Sequence, residues 1–140
     1  MDTGFWTKLH GAATHFPIAL TLCSGAFDVA GFILANRPLG RDLNVAGYWA
    51  MMLGALGSLP AVISGLVMTK GVLLGHGAVR MHHLFAWPAF ALVVALATWR
   101  IMLGRQAARN TFAGYLAGVA IAAGLISAAG YWGGEMLIAR

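Results

Sequence analysis

The chain holds five histidines, and each stands near the start of a long apolar run. His10 and His15 open the first, in Leu9-His10-Gly11-Ala12-Ala13-Thr14-His15-Phe16-Pro17-Ile18-Ala19-Leu20, while His76, His82 and His83 lead into the third. A neutral imidazole offers one nitrogen lone pair, and a low-spin b-type haem takes one such nitrogen on each face of its iron. If the first and third runs cross a membrane in the same direction, His15 and His83 reach matching depths within about a turn of one surface. They are the expected axial pair. His82 and His83 differ by about 100° around a helix, so both cannot serve one iron from the same side. His10 and His15 are separated by about 140° on a regular helix, and the His-x-x-x-His face of zinc sites is absent. His10, His76 and His82 are therefore read as ligands of a second group, as metal ligands, or as donors to haem propionates at the surface. For each histidine singly, the plain alternative is an interfacial side chain that packs and hydrogen-bonds. Five on one side of a chain with four acidic residues argue for a shared role.

Two acidic residues belong to the same chemistry. Asp28 lies 13 residues beyond His15, about 20 Å along a helix. An ionisable group there is costly, so it must find a partner or stay protonated. Its readings are a proton relay or quinone contact on one hand, and a hydrogen bond to Ser, Thr or backbone at the kink of the second span on the other. Glu135 follows Gly133-Gly134 at the histidine side, where it is positioned to accept the second N–H of an imidazole, or simply to be solvated at a helix end. No nucleophile stands with a base and no phosphate-binding loop occurs, so electron transfer is favoured over stand-alone enzyme chemistry. The single cysteine, Cys23, excludes an intramolecular disulfide and a Cys-x-x-Cys-His attachment site, so a haem here is non-covalent.

The elements that must position these residues follow from composition. With 60% hydrophobic residues, 9% charged residues and a mean hydropathy of +0.78, the 140 residues do not describe a soluble domain. The net charge of +5 comes from nine Lys and Arg at the ends of apolar runs, not gathered on one face, which excludes nucleic-acid binding. Four runs, at about 13–35, 45–69, 81–103 and 111–133, are each long enough to cross ~30 Å of hydrocarbon. The predicted fold is all-α: a single-domain integral membrane four-helix bundle with both termini on one side. Residues 1–12 are expected to form a lead before the first span, whose core is longer than the ~7–15 residues of a signal peptide and so is retained. Pro17 is placed in the first helical turn, and a bend is expected near Ser58-Leu59-Pro60.

Arg37, Arg41, Arg100, Arg105 and Arg109 flank one surface, against Lys8, Lys70, Arg80 and Arg140 on the other. Five against four places the termini and the histidines on the periplasmic side of a bacterial inner membrane. The stretches 10–69 and 76–135 match in length and order, which suggests a diverged duplication about an axis along the membrane normal.

The segment His10 to Leu20, with its His15-Phe16-Pro17-Ile18-Ala19-Leu20 core and Asp28 beyond it, resembles the opening of a family of small bacterial membrane proteins, domain of unknown function 2231. The likeness continues through Gly54 to Gly65, a histidine before the third helix, and Tyr131-Trp132-Gly133-Gly134-Glu135. It covers nearly the whole chain, with Gly11 standing where proline is common. Members keep redox-associated genomic company, so the resemblance implies electron transfer. The leading expectation is a cytochrome b-like, haem-b-binding subunit working between a periplasmic redox protein and the quinone pool. The alternatives are a metal-binding or transport protein using the histidines and Glu135 for copper, zinc or non-haem iron, and a cofactor-free structural subunit of a larger membrane complex or homo-oligomer, held by glycine faces.

Overall fold

The computed structural model describes residues 3–104 and 107–138. They form four helices, α1 (Thr3–Ile33), α2 (Pro38–Met68), α3 (Gly77–Leu103) and α4 (Arg109–Ile138), with no strand among the described residues. Each is long and apolar enough to span a membrane. Arg105 and Arg140, two of the flanking charges, lie outside the described residues.

The helices outrun the apolar segments. α1 begins at Thr3, so the expected lead is helical and Pro17 sits in the interior of the helix, not in its first turn. α2 and α3 likewise start before residues 45 and 81, and α4 continues past 133. Apolarity marks where hydrocarbon begins, whereas a helix already satisfying its backbone has no reason to stop there. Local chemistry sets the actual ends. Pro38 follows an extended Arg37 at the start of α2, where its missing N–H costs nothing. At the other end of α2 the Gly71 N–H donates to Leu66 O (2.8 Å) and Lys70 N–H to Val67 O (3.2 Å), with Lys70 left-handed at φ 53°. This is a Schellman closure. α2 remains one helix through Pro60.

In helices that are apolar all round, size and polarity separate inside from outside. α2 buries Gly40, Gly47, Ala50, Gly54, Ser58, Ala61 and Ser64, and exposes Leu53, Leu56, Leu59 and Ile63. Lipid solvates the large aliphatic chains as well as a core does, so helix contact is won by small residues that let backbones approach. The apolar centre comes from Met51, Val93, Leu96, Phe112, Tyr115 and Val119, to which α1 adds a polar face of Thr21, Ser24 and Asp28.

α1 packs on α2 and α3 on α4, and the two hairpins meet through α2–α3 and α1–α4 contacts. The second hairpin repeats the first. Pro17, Thr21, Ser24 and Asp28 are buried on α1, and 72 positions on Ala89, Val93, Leu96 and Arg100 are buried on α3. Gly47, Met51, Gly54 and Ala61 of α2 correspond in the same way to Tyr115, Val119, Ala122 and Ala129 of α4, a step of 68 (47 to 115). The two matching halves thus present two equivalent sets of inward positions, with α1 and α3 facing across the diagonal of the bundle.

Candidate functional site

Each end of the α1–α3 diagonal carries a polar cluster. At the first, His10 and His82 occupy equivalent positions and their ring centres lie 6.4 Å apart, crossed at 81°. His10 Nδ1 is 2.9 Å from Ala61 O and 3.1 Å from Ser64 Oγ, and His82 Nδ1 is 2.8 Å from Ala129 O. A carbonyl only accepts, so each Nδ1 carries the proton and donates, which leaves Nε2 of the neutral ring with its lone pair. The same device appears in both hairpins. Gly65, four residues beyond the first carbonyl, gives the His10 ring room, since a Cβ there would fall 3.1 Å from His10 Cε1; a Cβ at the equivalent Gly133 would be in ordinary contact, 3.5 Å from His82 Nδ1. His83 is buried beside His82, with ring centres 5.7 Å apart, and its Nδ1 has no partner.

At the second cluster, a nitrogen of the Arg100 guanidinium (Nη2) donates to Asp28 Oδ1 (2.8 Å), Asn44 O (3.1 Å) and Asn44 Oδ1 (2.9 Å). Arg100 is 5% exposed and Asp28 0%. The guanidinium carbon lies 4.8 Å from the Phe112 ring centre and 5.5 Å from that of Tyr115, so aromatic faces replace water around the cation. Ser24 donates to Gly47 O (2.8 Å) beside them. Asp28 Oδ2, Arg100 Nε and Tyr115 OH are buried with no protein partner.

The structure therefore regroups the residues singled out by spacing. His10, expected at the periphery, is half-buried against the half-buried His82, with the buried His83 beside them. His15 is exposed on α1, its Nδ1 donating to Gly11 O at 2.5 Å, whereas His83 is buried. His76 is exposed ahead of α3. The backbone carbonyls of Ala61 and Ala129 orient the imidazoles, the role considered for Glu135, which is half-buried on α4 apart from these bonds. Asp28 does find a partner, but it is Arg100, which was counted among the flanking charges. Without Arg100 the two surfaces carry Arg37, Arg41, Arg105 and Arg109 against Lys8, Lys70, Arg80 and Arg140, four each, so the charge count no longer assigns an orientation.

A signal for Arg100 was present in the sequence: it follows His82 by the same 18 positions by which Asp28 follows His10. Among the described residues no group of three or more His, Cys, Asp or Glu is placed to hold a metal ion. No curated protein and no solved structure matches the sequence. Residues 7–139 do match the family described as predicted membrane protein, DUF2231, and with four membrane-length helices inside that match the chain belongs to this family.

Proposed function

We propose that the protein is a haem-b-binding membrane subunit that moves electrons between a periplasmic redox partner and the quinone pool, in which His10 and His82 would hold the haem iron. The carrying observation is the matched geometry of these two rings. Both have Nδ1–H tied to a carbonyl, both keep Nε2 for a metal, and their centres stand 6.4 Å apart. Two imidazoles trans on one metal, with metal–nitrogen bonds of about 2 Å, have centres roughly 6 Å apart. Two ligands suffice for a haem iron, whose other four nitrogens come from the porphyrin, whereas zinc asks three or four of the protein. The absence of a three-residue ligand group among the described residues favours the first over the second.

The haem would supply one-electron chemistry; the chain's part is to fix both rings and exclude water between the hairpins. Asp28 lies 18 residues from His10, about 27 Å along α1. In this reading it serves the bundle as the partner of Arg100, and quinone contact belongs to the histidine end.

Optical spectra of the purified protein, oxidised and dithionite-reduced, with metal analysis of the same sample, test this. Sharp reduced α and Soret bands are expected, lost in His10→Ala and in His82→Ala and kept in His15→Ala. Loss in His15→Ala instead returns the pair to His15 and His83; a colourless protein with stoichiometric zinc or copper replaces haem by a metal ion, and one with neither leaves a structural subunit. The histidine end is read as periplasmic, where an external redox protein can reach it. His76→Cys in a Cys23→Ala background is then labelled by an impermeant maleimide on intact cells, and labelling only after lysis reverses the orientation.

A further inference from the structure

At the end of the bundle opposite the histidines, the four helices line an open-sided cavity of about 770 Å³. Arg41 of α2, Arg100 of α3 and Arg109 of α4 all line it, and no carboxylate does. Asp28 engages Arg100 through Nη2 only, and the Arg100 Nε–H is buried with no acceptor although the side chain is 5% exposed. Arg41 and Arg109 form no salt bridge among the described residues. The Arg109 guanidinium carbon lies 4.2 Å from the Phe32 ring centre, a cation–π contact. Asp42 neighbours Arg41 in sequence but does not line the cavity. α2 and α4 begin at this end and α1 and α3 finish there, so the helix dipoles largely cancel and the positive potential comes from the arginines. The remaining wall is mostly apolar and includes four aromatic rings, Phe32, Tyr48, Trp49 and Phe112.

We propose that this cavity binds the phosphate of an anionic phospholipid, held by Arg41 and Arg109 with the Asp28-paired Arg100 behind them, and with the glycerol and upper acyl region against the apolar wall. Guanidinium forks match phosphate oxygens two at a time. Basic pockets between membrane helices at headgroup depth suit such ligands, and the cavity sits where α1 and α3 end and α2 and α4 begin. The apolar wall favours a lipid over free phosphate, which gains nothing from it.

Native mass spectrometry of the full chain, in micelles supplied with equal phosphatidylglycerol and phosphatidylcholine, tests the proposal. Phosphatidylglycerol adducts are expected to exceed phosphatidylcholine adducts by about tenfold, the effect of one strong charge-assisted contact. Arg41→Gln/Arg109→Gln removes most of that preference, and Arg41→Gln alone lowers it; both side chains are exposed, so thermal melting is unchanged. Adducts that survive excess inorganic phosphate identify the lipid as the ligand. Displacement by inorganic phosphate assigns the site to the free anion and overturns the lipid reading, as does equal retention of the two lipids or an unaltered preference in the double variant.

Discussion

Arg100→Met is expected to lower stability by about 3–5 kcal/mol, the cost of leaving a buried carboxylate without its counter-ion. Asp28 is 0% exposed and its one bonded oxygen is held by Arg100. Asp28→Asn is milder in this respect, because Arg100 keeps both Asn44 oxygens. Removing both charges in Asp28→Asn/Arg100→Met leaves no ion buried, so the double variant is expected to be more stable than Arg100→Met alone. Chemical unfolding in mixed micelles, followed by helical circular dichroism, gives the four corners of the cycle. Strict additivity of the two single changes would show that the pair is not coupled, and an Arg100→Met protein with wild-type stability would remove the ion pair from any account of the fold.

The second large effect is steric and converges on the same place. A Cβ added at Gly47 would lie 2.5 Å from Asp28 Oδ1 and 2.7 Å from its Cγ. That carboxylate has nowhere to go while Arg100 holds it. At Gly40 the obstacle is the Leu34 carbonyl group, with its oxygen 2.1 Å and its carbon 2.6 Å from the added atom, and backbone yields less readily than a side-chain tip. Gly47→Ala and Gly40→Ala are each expected to cost about 1–3 kcal/mol, the usual range for overpacking. Gly124→Ala and Gly130→Ala, whose added Cβ atoms meet open space on α4, are the controls. They should change little, or gain up to ~1 kcal/mol from helix propensity. Asp28→Ala/Arg100→Met supplies the discriminating background: there the Gly47→Ala penalty shrinks toward that of the controls. A penalty of full size in that background means that something other than the carboxylate occupies the space.

The four spans were legible because twenty consecutive apolar residues have few other uses. Their ends were not, since lipid contact and helical backbone stop at different residues, as the helical lead from Thr3 shows. The choice between His10 and His15 turned on angle more than on depth. His10 falls on the face that continues through Pro17, Thr21, Ser24 and Asp28, at spacings of three, four and seven, whereas His15 is two residues from Pro17 and so about 200° away. In a membrane helix a polar stripe marks the inside, and that stripe was written in the sequence. Arg100 was harder to place, because a cation near a helix end looks like a flanking charge until its spacing from His82 is set beside that of Asp28 from His10. The carbonyls of Ala61 and Ala129 had no residue-type signal at all, since every residue carries one.

The repeat has a consequence for how the chain avoids pairing with the wrong half. Asp28 and Arg100 hold equivalent positions in the two hairpins, one an anion and the other a cation. Two copies of the first hairpin brought together in the same way would bury two carboxylates against each other, and two copies of the second would bury two guanidiniums. Only the unlike combination is neutral. Two hairpins with nearly the same inward pattern are thereby made unlike at one position each, and the charge there favours the pairing of the first with the second over the pairing of either with its own likeness.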